Sequence, residues 1–314
     1  MTITRGIQPS AVKTVIYGPE GIGKSTLASK WPNPVFIDTE GSTKQMDVAR
    51  LPTPATWDEI INEVKYVYTH PECCDTLVID TADWAELHCI KALCGDNKSI
   101  EDFGYGKGYV MLAEKFRVLL DELTKVIDSG IHVVVTAHAK MRKFEQPDEM
   151  GAYDRWEMKL SKQTAPLVKE WADMILFCNY KTIVVNVDGQ GAAKGKNKAQ
   201  GGERVMYTSH HNCWDAKNRY GLPDKVEMDF EPVASAIGAT NKPEPLWKKL
   251  EEKMQADGVE LFALQNLVGM KGWATSETPI EEYSKELIDF LLGDWEKVKD
   301  KVKETQDLEE IPFE

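Results

Sequence analysis

The chain has 314 residues, 42% hydrophobic and 28% charged, enough for one large core or two modest ones and too apolar for a disordered polymer. With 51 acidic against 38 basic side chains its net charge is −13, which excludes coating nucleic acid by bulk charge and leaves such contact to a local basic patch. No apolar run reaches the roughly 18 residues of a membrane span, residues 1–13 carry no secretory signal, and six cysteines are too sparse for a disulfide scaffold, so reduced thiols in a cytoplasm are expected.

Up to Cys178, short β-branched runs alternate with amphipathic stretches, which predicts βαβ units on a mostly parallel sheet and an α/β fold class. Strands are expected at Thr14–Tyr17, Val35–Asp38, Thr76–Asp80, Ile131–Thr136 and Met174–Cys178. Helices are expected at Lys24–Trp31, Trp57–Thr69, Trp84–Leu93, Val110–Ser129 and Thr164–Trp171. In Val110–Ser129, Leu112, Phe116, Leu119, Leu120 and Leu123 recur at helical spacing and mark a core-facing side. Beyond Cys178 the pattern turns antiparallel. Thr182–Asp188 and Arg204–Ser209 flank a Gly-, Lys- and Ala-rich tip, Gly189–Glu203, that carries Lys194, Lys196 and Lys198. Ile237–Pro245 reads as a linker, Leu246–Glu304 as three or four helices, and Asp307–Glu314 as an acidic tail. The expected units are a core over 1–236, a helical region over 237–305 and a disordered tail over 306–314.

The strongest motif is Gly18-Pro19-Glu20-Gly21-Ile22-Gly23-Lys24-Ser25, which fits G-x-x-x-x-G-K-[ST] between a strand and a helix. Glycines let successive N–H groups turn inward around phosphates, and the start of a helix adds partial positive charge. Gly18, Pro19, Glu20, Gly21, Ile22, Gly23, Lys24, Ser25 and Thr26 are therefore the expected nucleotide-binding residues, with Lys24 on the β- and γ-phosphates and Ser25 on Mg²⁺. Asp80 ends the apolar run Thr76–Ile79, where a second Mg²⁺ ligand belongs on a strand beside the P-loop strand. Asp83 is an alternative, but its place ahead of Trp84–Leu93 reads as a solvated helix cap.

Val35-Phe36-Ile37-Asp38-Thr39-Glu40-Gly41 sets a carboxylate, Glu40, just past the next strand, where it can polarise the water that attacks the γ-phosphate. The segment resembles the F/Y-I-D-x-E-G of RecA-type recombinases, which implies Glu40 as the catalytic glutamate. In most other P-loop ATPases that glutamate follows the Walker-B aspartate, a place taken here by Thr81. The resemblance also implies a γ-phosphate sensor at His138, which closes the run Val133–Ala137 where the family often has glutamine. Beyond it Lys140, Arg142, Lys143, Arg155, Lys159 and Lys162 interleave with Phe144, Tyr153 and Trp156, a composition suited to a single-strand groove. Glu145, Asp148, Glu149, Asp154 and Glu157 dilute that charge, so a solvated loop is the competing reading.

Trp214-Asp215-Ala216-Lys217-Asn218-Arg219-Tyr220-Gly221 carries a Lys-x-Arg pair that resembles the finger of RecA-like hexameric helicases and KaiC-type ATPases. Lys-Asn-Arg-Tyr-Gly is also similar to the K-N-R-F-G motif of bacterial RadA. The resemblance implies that Lys217 and Arg219 reach the γ-phosphate bound by a neighbouring subunit. The cysteines and histidines lack the paired spacing of a structural zinc site. Asp307–Phe313 resembles the acidic tip of bacterial single-stranded-DNA-binding proteins, with Glu314 following the Pro-Phe pair. That implies either competition with DNA for the chain's own basic groove or docking on a partner that reads such tips.

The layout over Val12–Pro223 resembles the phage RecA-like ATPases of the Sak type, grouped with single-strand annealing and recombination proteins. It implies a RecA-like P-loop core with an added β-hairpin, and ATP and Mg²⁺ held at the interfaces of a homo-oligomer, ring or filament. It further implies DNA-stimulated hydrolysis, single-stranded DNA as partner along Lys140–Lys162 and Lys194–Lys198, and a cytoplasmic setting, the host's if phage-encoded. Two alternatives stay open: a ring-forming helicase or translocase, and a nucleotide-switched interaction module without a DNA role.

Overall fold

The computed structural model describes residues 3, 5–6, 10–95, 99–145, 151–186, 197–237 and 246–309. It divides into two compact units, Met1–Lys242 and Pro243–Glu314. The first begins with β1 (Lys13–Gly18), α1 (Lys24–Ala28), β2 (Pro34–Asp38) and the short β3 (Ala49–Arg50). Then come α2 (Trp57–Thr69), β4 (Thr76–Asp80), α3 (Ala82–Cys94), α4 (Lys107–Asp128) and β5 (His132–Glu145). They are followed by β6 (Ala152–Met158), α5 (Thr164–Trp171), β7 (Met174–Asn186) and β8 (Asn197–Tyr207). The short β9 (Lys217–Asn218), β10 (Lys225–Glu227) and α6 (Glu231–Ala234) complete the unit.

The strands form one sheet in the order β10-β8-β7-β1-β5-β4-β2-β3, with β6 added to β5 and β9 to β7. From β7 to β3 every neighbour is parallel, and β6, β8, β9 and β10 join antiparallel. This is the mostly parallel α/β core of a P-loop NTPase. Its central strands read as unbroken apolar runs because both faces are covered. Alternate residues serve opposite cores: Val15, Tyr17, Leu77, Ile79, Val133 and Val135 pack on the side of α2, α3, α4 and α5. Ile16, Phe36, Val78 and Val134 pack with Leu27 and Ala28 of α1 and Val233 of α6. The leucines and Phe116 expected on the core side of α4 are all buried there.

Three features depart from the sequence expectation. β4 is not beside β1, because β5 stands between them. The crossover from β1 through α1 to β2 passes over two intervening strands, which brings the first turn of α1 over the carboxyl ends of β5 and β4. The stretch from Lys140 to Met158 is a β-hairpin, since β5 runs on past the sheet edge and pairs with β6 from Ala139↔Met158 to Glu145↔Ala152. The later hairpin is likewise an extension: β7 continues without a break through Thr182, and β8 begins at Asn197 instead of Arg204.

The second unit packs α7 (Leu246–Asp257), α8 (Leu261–Met270), α9 (Lys285–Gly293) and α10 (Trp295–Glu309) around Leu250, Met254, Leu264, Leu267, Leu291, Trp295 and Val302. The Trp295 indole donates to Asp257 Oδ2 at 2.6 Å. α10 extends to Glu309, so residues 306–309 are helical where a disordered tail was expected, and 310–314 lie outside the described residues. So do 238–245 of the expected linker. Among the described residues no helix is long and apolar enough to cross a membrane.

A buried histidine fastens the start of the sheet. His132 Nδ1 accepts the Val12 N–H at 3.1 Å, so the bond needs an unprotonated Nδ1, and burial lowers the ring's pKa from 6.5 to about 4. Between those values the unfolded chain takes up a proton that the fold refuses, so stability falls as pH drops from 6.5 towards 4, by up to ~3 kcal/mol. Glu63, raised to about 7 by burial and by Glu59, has the opposite slope across much of that range, so the informative quantity is a difference. His132→Asn, which keeps an acceptor without titrating there, should flatten that component when urea unfolding is compared with wild type at pH 7 and pH 4.5.

Candidate active site

β1 ends at Gly18, where β7 passes so close that an added Cβ would lie 2.3 Å from the Cys178 carbonyl oxygen. Only glycine fits. The loop then reverses through Gly21 at φ 72° and Gly23 at φ 104°, left-handed conformations that glycine adopts without strain. α1 opens at Lys24 and lasts five residues, shorter than expected, because Lys30 and Trp31 tighten into i→i+3 bonds ahead of Pro32. Lys24 is buried, with Nζ donating to the Gly18 and Pro19 carbonyls at 3.3 and 3.1 Å. Burial lowers its pKa, and the nearby Asp80 and Asp83 carboxylates oppose that shift.

Asp80, fully buried at the tip of β4, receives the Ser25 hydroxyl on Oδ2 at 2.7 Å and the Thr136 hydroxyl on Oδ1. Burial raises its carboxyl, and the two hydroxyls offset this only in part. Thr136 belongs to β5, the strand that separates β4 from β1, so it bridges the gap that the strand order leaves. Nothing local in the sequence marks it.

Glu40 is held by the turn after β2. The Asp38 carboxylate accepts the N–H groups of Gly41, Ser42 and Thr43 and the Thr43 hydroxyl, at 2.6–3.1 Å. Burial alone would raise Asp38, but these bonds outweigh it and hold the carboxyl below its ordinary value. The turn is tied to the β4 tip through Thr39, whose Oγ1 donates to the Thr81 carbonyl at 2.8 Å and accepts the Thr81 N–H at 2.9 Å. Glu40 is half-buried, and that burial raises its pKa, with His138 opposing.

Asp83 is not a solvated cap. Thr81 caps α3, while Asp83 is buried and accepts the His138 backbone N–H on Oδ1 and contacts its Nδ1 through Oδ2, both at 2.9 Å. A carboxylate partner keeps the proton on Nδ1 and turns Nε2 away. Burial would raise Asp83, and the bonds from His138 reverse that.

These groups line one cleft of about 430 Å³: Glu20, Gly21, Gly23, Lys24, Ser25 and Thr26 from the loop, with Glu40, Ser42, Met46, Thr81 and His138 opposite. The donor set fits a magnesium nucleoside triphosphate. A glycine loop and one lysine suit phosphate oxygens, and Ser25 facing Asp80 offers a hard cation two oxygen ligands. Glu40, Asp80 and Asp83 around a single lysine make a bare polyphosphate unfavourable, so the cation is part of the fit.

A family model described as AAA domain matches residues 10–220, from just before β1 to just past β9. The chain belongs to this family. No curated protein matches the sequence. Membership supports a nucleotide-hydrolysing function for the chain in general terms.

Other expected site residues lie elsewhere on the AAA domain. Lys217 on β9 pairs with Ile175 near the amino end of β7, roughly 10 Å down the sheet from the P-loop, and its Nζ donates to the Lys169 and Glu170 carbonyls at the end of α5, at 3.1 and 3.3 Å. Arg219 is exposed, with one nitrogen 2.7 Å from Asp173. Neither faces the chain's own cleft. In the β5–β6 hairpin Lys140 Nζ donates to the Leu160 carbonyl at 2.6 Å, Arg142 is 3.5 Å from Glu157, and Lys143 lies opposite Asp154. Lys159 is exposed and 3.8 Å from Glu20. Arg155 leaves the expected DNA-binding set: it is buried, ion-paired with Asp215 and stacked 5.3 Å over Phe144. Asp215 also meets Lys169 and the Tyr17 hydroxyl, so Arg155 anchors the turn ahead of Lys217. Lys194 and Lys196 lie outside the described residues, and for Lys198 only its place on β8, opposite Val185, is described.

Thr136→Val keeps the shape of β5 and removes the hydroxyl from Asp80. The Mg²⁺ concentration needed for half-maximal ATP hydrolysis should rise roughly tenfold or more, the usual effect of losing a group that orients a metal ligand. A metal titration of the ATPase rate checks this.

Proposed function

We propose that the chain is an ATP-dependent, single-stranded-DNA-binding recombination or annealing protein that hydrolyses ATP at the interfaces of a homo-oligomer. Lys24 and the loop from Gly18 to Thr26 bind the phosphates, Ser25 and Asp80 hold Mg²⁺, Glu40 orients the attacking water, and His138 contacts the γ-phosphate. The observation that carries the DNA reading is the continuity of β5. One strand runs from Thr136 and His138 at the cleft directly into Lys140, Arg142 and Lys143 of the hairpin, with Met141 exposed between them. A change at the nucleotide therefore has a short, stiff route to the strand that carries Lys140, Arg142, Lys143 and the exposed Met141. Lys217 and Arg219, far from the chain's own cleft and partly exposed, suit a role toward a neighbour's nucleotide. Such cationic groups contribute ~10³–10⁵ in turnover where they act.

A second reading, a nucleotide-switched module without a DNA role, draws on the net charge of −13 and on the pairing of Arg142 with Glu157. Hydrolysis by the full chain, with and without single-stranded DNA, separates the two. Stimulation by DNA is expected, and its loss in Lys24→Ala. Glu40→Gln should lower the rate by ~10²–10⁴, the usual worth of a general base. Because burial raises the Glu40 carboxyl, the wild-type rate should fall at acid pH through a pKa above the ordinary 4.5. Binding should weaken with salt with a log–log slope of about −3 for roughly four phosphates neutralised. Turnover and binding indifferent to DNA would favour the switch.

A further inference from the structure

The cleft accounts for the phosphate end of a nucleotide and leaves its other end unassigned. Asp80, Thr136, Glu40 and His138 come from β4, β5 and the end of β2, all on one side of β1 in the sheet order. Among the described residues, none of β7 or β8, on the other side of β1, lines that cleft. A triphosphate with its γ end among these groups and its remaining phosphates on the loop directs its nucleoside away from them.

On that other side Tyr180 of β7 and Arg204 of β8 are direct register partners, so their side chains share one face of the antiparallel pair. Both reach the P-loop. The Tyr180 hydroxyl donates to the Gly21 carbonyl at 3.4 Å. Arg204 Nη1 is 3.2 Å from where a Cβ on Gly23 would be, and Met228 Cε is 3.9 Å from the same point. Gly23 thus leaves room for a guanidinium against the loop. Both side chains are exposed. Arg204 has no ion pair or hydrogen bond of its side chain among the described residues, unlike Arg142, Arg155 and Arg219.

An aromatic face beside an uncommitted, planar guanidinium is suited to a π-system, since both stack on nucleobases and the cation adds attraction to the ring. From this placement we infer that Tyr180 and Arg204 form the base-binding platform of the nucleotide site, taking the purine of the nucleoside triphosphate whose phosphates the P-loop holds. The inference rests on the P-loop reading. Stacking depends on the π-face more than on exocyclic groups, so ATP and GTP should bind with similar affinity through this pair.

Calorimetric titration of the full chain with Mg²⁺–ATPγS and, separately, with inorganic tripolyphosphate tests it. Tyr180→Ala and Arg204→Ala should each raise the Kd for ATPγS roughly tenfold, while tripolyphosphate binding stays at the wild-type value. Tyr180→Phe, which keeps the ring and loses the hydroxyl, should bind ATPγS like wild type. Unchanged ATPγS affinity in both alanine variants overturns the inference. So does an equal loss for tripolyphosphate, which would make Arg204 a phosphate contact, or a Tyr180→Phe variant as weak as Tyr180→Ala. Lys24→Ala separates the two levels. If it abolishes ATPγS binding while the Tyr180 and Arg204 variants have no effect, only the platform fails. If it binds as wild type does, the P-loop reading fails and the platform with it.

Discussion

A buried carboxylate needs partners, and Asp80 finds them on two other elements: the Ser25 hydroxyl in the first turn of α1 and the Thr136 hydroxyl on β5. These contacts join the loop after β1, the tip of β4 and the strand between them at one point. The remaining cleft is built outward from that point. Thr39 ties the β2 tip to Thr81, Asp38 shapes the turn that carries Glu40, and Asp83 fixes His138 two residues past Thr136. The strand order makes such a hub necessary. With β5 between β1 and β4, the P-loop and the Asp80 carboxylate could not meet through strand pairing alone.

β5 is therefore both the centre of the site and its way out. It packs Val133, Val134 and Val135 in the core, gives the Thr136 hydroxyl to Asp80 and His138 to the cleft, and leaves the sheet as one side of the hairpin. Arg155, on the returning strand, binds Asp215 in the turn before Lys217. The hairpin and the Lys217–Arg219 turn are thus physically joined, which gives nucleotide-dependent change in one a route to the other.

The P-loop was legible because its signal is local: Gly18, Gly21 and Gly23 encode backbone conformations and a close strand approach within a few residues. Asp80 was legible as a strand tip because it ends a short apolar run, and Glu40 was picked out by its place two residues past the strand that ends at Asp38, in a segment with a recognisable motif. Thr136 and Asp83 were not, because their partners lie 56 and 55 residues away and depend on a strand order that the sequence does not announce. The same limit explains Arg155. Its spacing among aromatic and basic neighbours resembles a nucleic-acid surface, yet it is spent on Asp215, 60 residues on. Lys217 likewise looks free in sequence and is engaged by the carbonyls that end α5. Tyr180 and Arg204 become neighbours only through the β7–β8 register.

Hydrogen exchange on the full chain with and without Mg²⁺–ATPγS tests most directly whether the cleft and the hairpin are one device built on β5. Under this account, nucleotide raises protection in the loop from Gly18 to Thr26 and also changes it along Lys140–Glu145 and Ala152–Met158. Protection confined to the loop, with both hairpin strands exchanging as before, would contradict it.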